Sequence, residues 1–88
     1  MARYYLHLRD GTDETLDEEG LEFESLEAMR DAVLAAARDL IGADAHKGMI
    51  DFRFRIDAEN DEGQIVYTLP FEHAVSVIPA SEPERDFA

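Results

Sequence analysis

The chain contains no cysteine and no tryptophan, only three prolines, and few bases. Without cysteine there is no disulfide, no thiolate nucleophile and no thiolate metal site. No apolar run approaches the roughly 18 residues of a membrane span. The opening MARYYLHLRD alternates in polarity and ends charged, so it is not expected to be a signal peptide. Eight Lys and Arg stand against 21 Asp and Glu, a formal net charge of -13 over 88 residues. So acidic a surface argues against nucleic-acid binding, because phosphate contacts need a positive footprint. What remains is 45% hydrophobic, too apolar to be wholly disordered, and its length fits one domain. The expectation is a single globular domain over residues 1–78, followed by a flexible tail at 79–88 that holds Pro79 and Pro83. A cytoplasmic location and no membrane association are expected.

No internal repeat is evident. Residues 3–9 alternate as a strand does, with Tyr4, Leu6 and Leu8 on one face and Arg3, Tyr5, His7 and Arg9 on the other. Asp10-Gly11 ends this strand. Residues 10–27 hold nine acids and no base, and read as a solvated loop with a short strand near 14–17 or 21–23. Ser25 is a helix N-cap, with Glu27 in the first turn. Leu26, Met29, Val33, Ala36, Ala37 and Leu40 follow helical spacing, Leu34 and Ile41 widen the stripe, and Gly42 is the expected terminator. Residues 42–50 are expected to be a connection. Phe52, Phe54 and Ile56 alternate with Asp51, Arg53, Arg55 and Asp57, which predicts a half-buried strand over 51–57. Asn60 to Gly63 is a turn, Gln64 to Leu69 a further strand, and Pro70 its end. Phe71 to Ile78 fits either a helical turn or a last short strand. The fold class is α+β: one helix packed on a small antiparallel sheet, in the order β-β-α-β-β.

Three groups of residues together suggest a family. They are Tyr5-Leu6-His7-Leu8-Arg9-Asp10-Gly11, Asp17-Glu18-Glu19-Gly20, and Leu69-Pro70-Phe71 ahead of Ala74-Val75. With the helix between them, the chain resembles a family of small bacterial proteins of unknown function. Its members share an aromatic-x-His-x-Arg-Asp-Gly opening, an Asp-x-Glu-Gly element and a Leu-Pro-Phe element. The resemblance spans about residues 3–78 and implies no activity. The order of elements is also similar to that of small antitoxin domains, whose partners are toxin ribonucleases.

Candidate chemistry is sparse. The acids of residues 10–19 do not fit a calcium loop, since the sixth position counted from Asp10 is Thr15 rather than glycine. His7, His46 and His73 lack a zinc spacing. Ser25 is better explained as a cap than as a nucleophile, and neither a nucleophile elbow nor a phosphate loop is present. No catalytic residue, metal or cofactor is therefore expected, and the chain is not expected to be an enzyme. The informative feature is the second face of the sheet. Arg3, Tyr5, His7, Arg9, Arg53 and Arg55 fall there, among them four of the eight bases, and they are the candidate partner-binding residues. Arg and Tyr are enriched at binding hot spots. The leading expectation is a non-enzymatic protein-binding or self-assembly module that forms a homodimer. The alternative is an antitoxin- or inhibitor-like protein covering a basic partner. Against both stands a plain solvated sheet face, on which His7 is a half-exposed strand residue sensitive to pH.

Overall fold

The computed structural model describes residues 1–81. It shows the expected α+β architecture, with a single helix against one antiparallel sheet. The strands are β1 (Ala2–Arg9), β2 (Glu14–Thr15), β3 (Leu21–Phe23), β4 (Arg55–Asn60) and β5 (Ile65–Pro70); the helix α1 (Leu26–Lys47) follows β3. A 3-10 turn at Phe71–His73 continues from β5. The sheet runs β2-β1-β4-β5, and β3 also pairs with β1. The weak strand expected in the acidic stretch is thus present as two short pieces on one edge of β1, with Leu8 opposite Thr15 and Tyr4 opposite Leu21.

The core lies between α1 and the inner sheet face. Met29, Val33, Ala37 and Ile41 recur every four residues and form the buried line of the helix. They meet Tyr4, Ile56, Ala58 and Leu69 of the sheet, with Phe71 and Ala74 closing one end. Phe71 is 1% exposed and its ring packs on Phe54 at 5.9 Å. Arg38 ties the helix to the chain after β5 by donating from Nε to the Ala74 carbonyl at 2.8 Å. Arg30 places its guanidinium over the Tyr67 ring at 5.3 Å.

Two expected boundaries are corrected. The helix passes through Gly42 and ends at Gly48. Gly42 is exposed, so it costs the helix only its propensity. Residues 43–47 (Ala-Asp-Ala-His-Lys) continue the helix, and His46 and Lys47 oppose its dipole in the last turn. Gly48 then takes φ 94 and donates to the Ala45 carbonyl, while Met49 donates to Asp44, which completes a left-handed cap. The strand expected over 51–57 begins only at Arg55 and runs on to Asn60. Asp51 explains the delay. Its carboxylate accepts from the Arg53 backbone N–H at 2.9 Å and from the Arg53 side chain at 2.8 Å, which folds 51–53 into a turn. Phe52 is consequently 37% exposed and outside the core. Arg53, expected on the sheet's outer face, is in that turn and not on the sheet.

The open edge of the sheet is blunt. Phe71 donates to the Phe54 carbonyl, so Phe71, Leu69 and Tyr67 direct their backbone groups at β4. Thr68 and Pro70 point to the open edge, where Pro70 has no N–H to offer. Ala58 pairs with Tyr67 but Glu59 with Ile65, so Val66 is an extra residue that bulges the strand. Such devices prevent strand addition.

Among the described residues no helix is long and apolar enough to cross a membrane. Val77 and Ile78 are exposed. Of the tail expected at 79–88, residues 82–88 lie outside the described residues.

Replacing Phe71 by Ala is expected to cost about 3–5 kcal/mol, as a buried aromatic does. Phe52→Ala should stay within about 0.5 kcal/mol. Chemical denaturation of both variants checks the strand boundary, because equal losses would return Phe52 to the core.

Candidate functional site: the uncovered sheet face

Alternation sends Arg3, Tyr5, His7 and Arg9 of β1 away from the helix, together with Arg55, Asp57 and Glu59 of β4. Cross-strand pairing adds Glu22 opposite Arg3, Glu14 opposite Arg9, and Thr68 opposite Asp57. The structure therefore brings together five of the six expected site residues, Arg3, Tyr5, His7, Arg9 and Arg55, and leaves out Arg53.

Among the described residues no element covers this face, yet it holds two nearly buried polar side chains, Asp57 at 4% exposure and His7 at 6%. Asp57 is central. Arg9 donates to it from Nη1 at 2.8 Å, Thr68 from its hydroxyl at 2.8 Å, and Arg55 from Nε at 3.2 Å. Burial alone pushes the Asp57 carboxyl upward, but Arg9, Thr68 and Arg55 outweigh it and hold the group below its ordinary range. The same carboxylate separates Arg9 from Arg55, which sit directly opposite each other on neighbouring strands. Arg9 also reaches Glu14 at 3.3 Å, and Arg3 reaches Glu22 at 3.7 Å.

The bases expected on this face therefore do not make it positive. Arg3, Arg9 and Arg55 stand among Glu14, Glu22, Asp57 and Glu59, and each arginine is paired with at least one carboxylate. The face is close to charge-balanced in a chain at -13. Composition and strand parity could place the arginines, but could not show that carboxylates on the same and neighbouring strands neutralise them.

A second cluster lies on the far edge of β1, between β2 and β3. Leu8 and Tyr4 face strand partners there, and Leu6 has none. The Asp17 carboxylate takes that place, accepting from the Leu6 N–H at 3.2 Å and from Gly20 and Glu19 at 3.0 Å and 3.2 Å. Burial pushes the Asp17 carboxyl up, and these backbone donors hold it down overall. Its own N–H donates to His7 Nδ1 at 3.1 Å, while His7 Nε2 faces Glu59 at 3.3 Å. Arg3 clamps the loop by donating to the Glu19 carbonyl at 2.6 Å. Gly20 has φ 72, and a Cβ there would lie 2.9 Å from the Tyr5 ring, so this position requires glycine in two ways. The Asp-x-Glu-Gly element and the histidine of the opening motif thus form one latch. Pattern reading singled out both pieces but could not show that they touch.

Among the described residues no group of three or more His, Asp or Glu is placed to hold a metal ion. A cleft of about 100 Å³ lies beside the face, lined by Arg9, Gly11, Thr12, Asp13, Glu14 and Arg55. Ligand pockets generally begin near about 300 Å³.

A family model described as a domain of unknown function, DUF6894, matches residues 3–72. It spans the motif residues discussed above except Ala74-Val75. No curated protein and no solved structure matches the chain.

Asp57→Asn is expected to destabilise the fold by about 2–4 kcal/mol, because Arg9 and Arg55 then face each other without their shared anion. The lowered Asp57 and Asp17 carboxyls fix the sign of the pH dependence. Their contribution is complete above the unfolded-state carboxylate range near about 4 and is lost as pH falls through the lower folded values. Denaturation between pH 7 and pH 2 should show stability falling on acidification, with a shallower fall in Asp57→Asn. An equally steep fall in that variant would exclude Asp57 as a source.

Proposed function

The chain belongs to the DUF6894 family of unknown function, and we propose that it is a non-enzymatic protein-binding module that self-associates through its uncovered sheet face. One observation supports this reading above the others: the face is close to charge-balanced while the chain as a whole stands at -13. Two copies repel wherever their acids meet, and they approach at least cost where their charges cancel. Arg3 and Arg55 both reach solvent and can exchange carboxylate partners across a two-fold axis. The blunt edge of β5 favours contact through the face over strand addition. A bacterial origin and a cytoplasmic location belong to the same proposal.

A second reading rests on the seven acids of residues 10–27 other than Glu14 and Glu22, the two that stand on the balanced face. They would present an anionic surface to a basic protein, as an inhibitor or antitoxin does. A small basic nuclease encoded beside this chain would favour that reading.

Light scattering at physiological and at low salt tests self-association. A dimer is expected at physiological salt, weakening as salt is lowered and repulsion is unscreened. The double reversal Arg3→Glu/Arg55→Glu should yield monomers. A wild-type monomer at high protein concentration, or a reversed variant that remains dimeric, would overturn the reading.

A further inference from the structure

His7 is nearly buried on a face that no element of the described residues covers, with Nδ1 bonded by the Asp17 N–H and Nε2 close to Glu59. The Asp17 N–H is a backbone amide and can only donate, so Nδ1 must be the acceptor of that 3.1 Å bond. The ring is then neutral, with its proton on Nε2, which lies 3.3 Å from the Glu59 carboxylate. A second proton can enter only at Nδ1, where it would meet the Asp17 N–H head on. We propose that His7 is a proton-operated latch, and that its protonation releases the Asp17 loop from the edge of β1.

The surroundings give the latch a direction. Asp57 lies directly across from His7 on β4, with Glu59 and Arg55 to either side of it. Tyr5 and Arg9 flank His7 on β1, Asp17 approaches from the loop, and β5 presents the neutral Thr68 beyond Asp57. Three carboxylates against two guanidiniums can accommodate an imidazolium there. What the site cannot keep is the Nδ1 bond. Once charged, the ring loses the Asp17 amide as a partner and draws on the Asp17 carboxylate, which holds Leu6, Glu19 and Gly20. Leu6 is the residue of β1 between β2 and β3 for which that carboxylate replaces a strand partner. Protonation therefore loosens residues 16–20 and uncovers a stretch of strand edge in the middle of β1. This inference concerns one chain and does not depend on self-association.

Nitrogen-15 NMR of the whole chain at pH 5–8 and low protein concentration tests it. At the alkaline end Nδ1 should report as unprotonated and Nε2 as protonated, with the Asp17 amide protected from exchange. On acidification the ring should become imidazolium. The Asp17, Glu19 and Gly20 amides should shift with the same midpoint, and Asp17 should lose about tenfold in protection beyond the intrinsic pH effect. His7→Asn presents an oxygen where Nδ1 stood and cannot titrate, so those amides should become insensitive to pH. The proposal fails if the wild-type ring titrates without moving the Asp17 amide. It fails equally if the ring stays neutral down to pH 5, or if the amide shifts persist in a folded His7→Asn chain. Should that variant not fold, the wild-type midpoints decide alone.

Discussion

A single carboxylate on an uncovered sheet face organises much of this small domain. Asp57 sits on an inner strand, where its neighbours on β1 and β5 shield it from water. An ionised carboxylate so placed must be paired, since its solvation is lost. Arg9, Arg55 and Thr68 do this from three strands, so the anion ties the sheet across its width. It also allows two arginines to stand opposite each other, an arrangement that would otherwise separate the strands. The helix side is a conventional apolar core; the open side is held by charge and hydrogen bonds.

The other constraint is the edge of β1. Two short strands cannot cover eight residues, and the gap at Leu6 would leave a backbone donor unpaired. Asp17 fills it with a side chain. The acidic stretch, which composition alone marks as solvated, therefore contains in Asp17 a carboxylate with a defined structural role. Asp10 has a smaller one: backbone bonds from Asp13 and Thr12 hold its carboxyl below the usual range and shape the turn after β1.

The helix start at Ser25, the parity of β1 and the turn at Asn60 to Gly63 were legible in the sequence, because each depends on local chemistry. The helix end was not, since an exposed Gly42 and a capping Gly48 look alike until the tertiary setting distinguishes them. The start of β4 was missed because alternation continues through Asp51 to Arg55 while a side-chain-to-backbone bond at Asp51 bends the chain. At the candidate site, parity placed Arg3, Tyr5, His7, Arg9 and Arg55 on one face, but the cross-sheet partners of Tyr5, His7 and Arg9 come from β4 and the turn after it, far along the chain. Burial of His7 and Asp57 on an open face is a product of those pairings, and no periodicity encodes it.

If the face is one interdependent unit built on Asp57, then Arg9 and Asp57 must be energetically coupled. A double-mutant cycle with Arg9→Met and Asp57→Asn, read by chemical denaturation, measures this directly. The account predicts a coupling of about 1–3 kcal/mol in favour of the native pair. Losses that add to within about 0.3 kcal/mol would mean that the two groups act independently, and would contradict it.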